Sequence, residues 1–102
     1  MRLSRFPTII LFSLVVLFGL HRGALAEMAS GDVLVNTCFS CHGPDGKSSG
    51  AMPTIAGKPK HYIETMMRNY RSGKTPSTVM MRIAKGFSDT EIAAIAKFFA
   101  DK

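Results

Sequence analysis

The stretch at residues 36–50 reads NTCFSCHGPDGKSSG and holds both cysteines of the 102-residue chain. Cys38 and Cys41 stand three positions apart, and His42 follows directly. Two cysteines at this spacing occur in redox-active disulfides, in zinc sites and in the attachment site of a covalent haem. The rest of the chain has to decide between these three interpretations.

The first 26 residues have the pattern of a secretory signal peptide. Arg2 and Arg5 give a positive start, residues 6–20 carry no charge and are mostly apolar, and Ala24-Leu25-Ala26 matches a cleavage site. The apolar run is shorter than the roughly 20 residues of a membrane span, which favours cleavage over an uncleaved anchor. We therefore expect residues 27–102 to form the mature domain, located in the periplasm without stable insertion in the membrane.

Composition narrows the possible functions of this mature domain. All seven acidic residues but only ten of the 13 basic ones lie after residue 26, so the net charge falls from +6 to about +3. Scattered basic residues at this net charge give no case for nucleic-acid binding. A domain this small buries a thin core and often depends on a disulfide, metal or cofactor. A disulfide within CxxC closes too short a loop to stabilise the fold much.

Hydrophobic periodicity predicts an all-α domain, because no stretch alternates convincingly with a period of two. Ser88 and Glu91 form a capping-box pattern at the start of the last predicted helix. The alanines at 93, 94 and 96 make that helix narrow enough to cross another helix closely. The expected helices cover residues 30–37, residues 59–72, a short turn at 78–85, and the region that follows Ser88.

The C-x-x-C-H pattern favours haem c over the two alternatives. Thiols three apart on a helical turn can each add to one vinyl group of a porphyrin, and the imidazole of His42 then reaches the iron. A thioredoxin-like pair normally lies where a strand meets a helix, and no strand is expected here. A structural zinc ion needs four ligands, and beyond this motif the mature chain adds only His61 as a further soft ligand.

A six-coordinate haem also needs a distal ligand, for which the candidates are His61 and six methionines. Met80 and Met81 are favoured because they lie between two predicted helices, after a loop that contains Pro76. A thioether ligand raises the reduction potential and favours electron transfer. If no methionine binds the iron, the alternative is a haem enzyme or gas sensor with an open site. A small disulfide-bonded binding module is the remaining alternative.

Three stretches, CFSCHGPDG, MPTIAG and STVMMRIAKGFSDTEIAAIAKFF, resemble the class I c-type cytochromes. Within that class, the chain is most similar to the haem subunit of flavocytochrome c sulfide dehydrogenase and its monohaem relatives. The resemblance spans essentially the whole mature chain. It implies a small class I cytochrome c fold, with three to four short helices wrapped around one covalently bound haem.

The resemblance also assigns roles to individual residues. It implies thioether attachment through Cys38 and Cys41, iron ligation by His42 and Met80 with Met81 as the neighbouring alternative, and a hydrogen bond from His42 Nδ1 to the Pro53 carbonyl oxygen. The implied function is one-electron transfer rather than catalysis. The implied donor is an FAD-containing sulfide dehydrogenase subunit, and other redox proteins accept the electron. A free-standing electron shuttle with no permanent flavoprotein partner is the alternative within this class.

Overall fold

The structure, a computed structural model, describes residues 29–102, so the predicted leader at 1–26 lies outside the described residues. Residues 29–102 contain helices and no strand, which confirms the all-α prediction. No helix in this range is long and apolar enough to cross a membrane. The elements in chain order are α1 (Gly31–Leu34), α2 (Asn36–His42), a 3₁₀ turn (Pro44–Gly46), α3 (Lys60–Ser72), α4 (Met80–Ala84) and α5 (Asp89–Ala100).

The region predicted as one helix at 30–37 differs from the prediction in extent and number. It consists of two helices, α1 and α2, which meet at the fully buried Val35, and α2 continues through the cysteine motif to His42. The Cys38 N–H donates to the Val35 carbonyl oxygen at 2.9 Å, so helical backbone persists across the junction. Gly43 ends α2 with φ 84°, a conformation that glycine adopts at little cost. Because of this division, residues 29–102 contain five α-helices rather than the predicted three or four.

The last helix, α5, begins as its sequence predicts. Ser88 Oγ accepts the Glu91 N–H at 3.2 Å, and a Glu91 carboxylate oxygen accepts the Ser88 N–H at 2.8 Å. These two bonds form the predicted capping box and satisfy donors that a helix start leaves unpaired. The buried stripe of α5 forms the largest part of the core, which contains Val35, Ile63, Met67, Ala84, Ile92, Ile95, Ala96 and Phe99.

Two glycines allow other elements to lie close against α5. A Cβ atom added at Gly31 would lie 2.9 Å from the Ala94 carbonyl oxygen, so α1 crosses α5 at backbone distance as the alanine pattern predicts. A Cβ atom at Gly46 would lie 2.7 Å from the ring of Phe99 and 2.9 Å from Ile55. Gly46 also has φ 78°, so both its conformation and its surroundings require glycine.

A side chain near the end of α3 joins that helix to the start of α5. Arg71 Nη1 donates to the Phe87 carbonyl oxygen at 3.0 Å, and Nη2 donates to Asp89 Oδ1. Arg68 lies beside the same carboxylate, with Nε 3.6 Å from Oδ1. The hydrogen bond and positive charge of Arg71, with a smaller contribution from Arg68, lower the pKa of Asp89.

We predict that Gly46→Ala destabilises the protein strongly. The added methyl group overpacks Phe99 and Ile55 and forces alanine into a left-handed conformation, which together cost about 2 to 4 kcal/mol. For a domain of this size, Tm should fall by about 10 °C or more in thermal denaturation. Gly50→Ala is the matched control, because nothing lies within 4 Å of the added methyl group and the φ of Gly50 is not positive. Equal effects of the two substitutions would contradict the prediction.

We predict a pH-dependent loss of stability in Asp89→Asn. The pKa of Asp89 is lowered in the folded chain, so its stabilising effect is present above the ordinary pKa and is lost as pH falls through the folded pKa. The variant should therefore have a lower Tm than the wild type at pH 7, and the difference should shrink as pH falls below about 4. Asp101→Asn removes an exposed partner of Lys97 and serves as the control. A Tm difference that is constant with pH would argue against this role of Asp89.

Candidate functional site

Helix α2 places both cysteines and His42 on consecutive turns of one element. Residues three apart on a helix lie on the same side, so the two sulfurs share one side of α2. The two thiols differ in environment, because Cys41 is exposed whereas Cys38 packs against the core. Burial raises the pKa of the Cys38 thiol, and a hydrogen bond with Thr37 lowers it by a smaller amount.

The imidazole of His42 is buried and fixed in orientation. Its side chain is 7% exposed, and Nδ1 lies 2.6 Å from the Pro53 carbonyl oxygen. A carbonyl oxygen can only accept a hydrogen bond, so Nδ1 carries the proton. In the neutral ring, the lone pair is then on Nε2, the nitrogen that remains to bind a metal. This is the contact that the family resemblance implies for Pro53.

The loop that carries Pro53 is itself held by backbone hydrogen bonds. The Gly46 carbonyl oxygen accepts the N–H groups of Ile55 at 2.9 Å and Ala56 at 3.2 Å. Beyond them, the Gly57 N–H donates to the Phe99 carbonyl oxygen at 2.8 Å. The acceptor for His42 is therefore attached to the end of α5 and has little freedom to move away.

Phe39, one of the two residues between the cysteines, packs α2 onto α5. Its ring centroid lies 6.0 Å from that of Phe98 and 6.3 Å from that of Phe99. Phe98 and Phe99 contact each other edge to face at 5.2 Å. Such offset contacts stabilise an aromatic cluster beyond simple burial. The cysteine motif therefore contains a side chain, Phe39, whose packing fixes the orientation of the motif in the fold.

The donor set of α2 fits a covalently attached haem. Two thiols on one side of a helix and an imidazole with a free Nε2 are what thioether attachment and proximal ligation require. Within residues 29–102, no group of three or more His, Cys, Asp or Glu side chains is placed to hold a metal ion by itself.

The methionine candidates lie in different environments. Met80 is the first residue of α4 and packs against the same core as Cys38. Met81 follows it, and its N–H donates to Ser77 Oγ at 2.8 Å. Met67 lies on α3 and is buried in the core of the domain, whereas Met52 is 41% exposed in the loop after the cysteine motif. His61 is exposed on α3.

The residues predicted for the site are the cysteines, His42, Pro53 and the two methionines, and they lie in different surroundings in the structure. It joins His42 to Pro53 by a hydrogen bond and brings Cys38 and Met80 to one core. No pattern in the sequence singled out Phe39, Ser77 or Arg71. Phe39 and Arg71 contact residues that are distant in sequence, whereas Ser77 binds the N–H of Met81, four positions later.

Comparison with known proteins identifies the family of this arrangement. Residues 26–99 match the family described as cytochrome c oxidase, cbb3-type, subunit III. The chain is 45% identical over 71 residues to the cytochrome subunit of sulfide dehydrogenase from Chlorobaculum tepidum, a match that covers 70% of this chain and 64% of that protein. It is 31% identical over 80 residues to cytochrome c-554(548) from Halomonas halodenitrificans, covering 74% of this chain and 96% of that protein.

A solved structure shows the same fold. Cytochrome c4 from Acidithiobacillus ferrooxidans superimposes with a TM-score of 0.61 and is 29% identical. The match covers 64% of this chain and 38% of that one. The chain thus spans less than two thirds of both this structure and the sulfide dehydrogenase subunit, but nearly the whole of cytochrome c-554(548).

Proposed function

Because the chain belongs to the family of cbb3-type subunit III cytochrome c domains, we propose that it transfers single electrons through one covalently bound haem c. The observation that carries this proposal is the hydrogen bond between His42 Nδ1 and the Pro53 carbonyl oxygen. It prepares Nε2 as a ligand on the helix that presents both cysteines. The chain has two cysteines, which are enough for one such attachment.

Each residue of the site has a defined task in this proposal. Cys38 and Cys41 hold the porphyrin by thioether bonds, and His42 is the proximal ligand. The Pro53 carbonyl fixes the imidazole ring and strengthens its donation through Nε2. When bound, the haem iron supplies the one-electron redox chemistry, while the polypeptide supplies ligands, orientation and a low-polarity surrounding.

We assign the distal ligand to Met80. It begins the short helix α4 and lies against the core that Cys38 also contacts, so its thioether is placed on the interior side of the fold. A thioether ligand stabilises the reduced iron relative to a second imidazole and suits an electron carrier. Met81 is the neighbouring alternative, with its backbone N–H bonded to Ser77.

The partner assignment rests on the relative named as a cytochrome subunit of sulfide dehydrogenase, which is 45% identical to this chain. We propose that the electron donor is an FAD-containing sulfide dehydrogenase subunit. The sulfide chemistry then takes place on the flavoprotein, and this chain accepts its electrons and passes them to another redox protein. We propose that the predicted leader at 1–26 directs export, so that this exchange takes place in the periplasm.

A free-standing carrier is the second candidate function. The observation in its favour is that the match covers 96% of cytochrome c-554(548), so one relative consists almost entirely of the region that it shares with this chain. Native purification distinguishes the two candidates. A flavoprotein that co-purifies in a fixed ratio supports the subunit role, whereas a cytochrome that purifies alone supports the shuttle.

We predict that the protein exported to the periplasm carries covalent haem and a methionine ligand. Haem staining after a denaturing gel should be positive in the wild type, because thioether bonds survive denaturation. The ferric protein should show the near-infrared methionine-to-iron band, which Met80→Ala should abolish and Met81→Ala should retain. The two substitutions change the same side chain at adjacent positions, so each controls for the other.

Other outcomes would change the assignment in specific ways. Loss of the band in Met81→Ala alone would move the ligand by one residue. A haem-containing wild type without the band would support an open-site enzyme or sensor. A mature chain that is lighter than its sequence by two hydrogen atoms and carries no haem would support a disulfide-bonded module.

We also predict modest electrostatic steering by basic residues near Met80. Arg82 and Lys85 follow Met80 on and just beyond α4, and among the described residues neither forms an ion pair with a carboxylate. Lys85→Glu should slow association with the flavoprotein about twofold to tenfold at low ionic strength, and added salt should remove the difference. Lys97→Glu, on α5, is the control because Lys97 is paired with Asp101. Association that is unchanged in Lys85→Glu would exclude a steering role for this residue.

A further inference from the structure

The helix that carries Met80 is too short to hold its own position. Helix α4 has five residues, and a helix of that length is not stable by itself in water. Ala84 is fully buried, which lets α4 lie close to the helices it packs against. The small Ala84 side chain does not fix the position of either end of α4. Contacts at the two ends therefore add to core packing in determining where the first residue, Met80, lies.

A serine holds the beginning of α4. The first N–H groups of a helix have no partner inside the helix. Ser77 Oγ accepts the Met81 N–H at 2.8 Å, in the manner of a capping residue. This bond fixes the backbone immediately after Met80 and ties it to the loop that follows Pro76. Without it, the first turn of α4 keeps only the bonds from the Arg82 and Ile83 N–H groups to the Val79 carbonyl oxygen, so the backbone at Met80 is less firmly held.

An arginine from another helix holds the other end. The chain leaves α4 through Phe87, whose carbonyl oxygen accepts a 3.0 Å hydrogen bond from Arg71 Nη1. The second amino group of the same guanidinium binds Asp89 at the first turn of α5. Because a guanidinium is rigid and planar, these two bonds fix the junction of α4 and α5 relative to α3.

We propose that Ser77 and Arg71 are positioning residues that clamp the two ends of α4 and so keep the Met80 thioether on the haem iron. This inference rests on the proposed function, since it concerns the ligand assigned there. Neither residue touches the iron in this proposal. Their effect passes through the backbone of residues 77–89, and it raises the fraction of protein in which the methionine is bound.

The test measures competition for the iron by imidazole. An external ligand binds the ferric haem only when methionine leaves, so its apparent affinity reports how firmly Met80 is held. In purified haem-containing protein, Ser77→Ala should bind imidazole about fivefold more tightly than wild type, the effect of one ordinary hydrogen bond. Arg71→Gln should show about tenfold or more, because its bonds are charge-assisted. Loss of the methionine-to-iron band during the titration provides the signal.

Three matched variants separate the clamp from general effects. Ser77→Thr retains a hydroxyl group and should restore wild-type affinity. Arg68→Gln removes a positive charge from the same helix, next to the same Asp89 carboxylate, but the Arg71 bond to Phe87 remains. This variant should also bind imidazole as the wild type does. Gly31→Ala disturbs the crossing of α1 and α5, so it should lower Tm without changing the affinity for imidazole.

The outcomes decide between the clamp and its rivals. Wild-type affinity in both Ser77→Ala and Arg71→Gln would overturn the proposal. Tighter binding in Gly31→Ala to the same degree would overturn it too, because general loosening would then explain the effect. If Arg71→Gln fails to accumulate, Ser77→Ala against Ser77→Thr decides alone. If the wild type has covalent haem and the methionine-to-iron band, the proposed function stands whatever the variants do. If the wild type lacks the haem or the band, the corresponding assignment is wrong and the clamp proposal is wrong with it.

Discussion

The site depends on one hydrogen bond, from His42 Nδ1 to the Pro53 carbonyl oxygen. An imidazole has two nitrogens, and a metal ligand is useful only if the right one carries the lone pair. The carbonyl settles this by holding the proton on Nδ1. It also joins helix α2 to a loop that backbone hydrogen bonds to Gly46 and Phe99 already hold nearby, so the bond depends on the path of the chain and sets the chemistry of the ring.

Helix α5 does not take part in that bond, but it positions both the helix and the loop that form it. Gly46 packs on Phe99 and accepts bonds from the residues after Pro53, while Gly57 donates to the Phe99 carbonyl oxygen. Phe39 docks α2 on the same helix through Phe98 and Phe99. The donor helix and the acceptor loop are therefore both positioned by one end of α5. A small domain with a thin core needs such a shared scaffold, because it has few other buried surfaces.

Local patterns predicted much of this structure, and nonlocal contacts account for what they missed. The capping box at Ser88 and Glu91 involves neighbours within a turn, so the sequence is sufficient to predict it. The extension of α2 through His42 was missed because Cys-Phe-Ser-Cys-His has no helical stripe of its own. Its helical form depends on Phe39 packing against side chains some sixty residues later. In the sequence, Arg71 cannot be distinguished from an ordinary basic surface residue, and only the fold brings it to Phe87, 16 positions away.

The two halves of the site are held by different means, and this difference has a chemical consequence. His42 is buried, and its ring is fixed directly through Nδ1. Met80 has no comparable anchor on its own side chain among the described contacts, and its helix is held through backbone groups at Met81 and Phe87. A thioether is a weak acceptor that offers no second polar atom to orient. In the proposed site, a methionine ligand at position 80 would be positioned by core packing and by the backbone at the two ends of α4, because its sulfur has no hydrogen bond that could orient it.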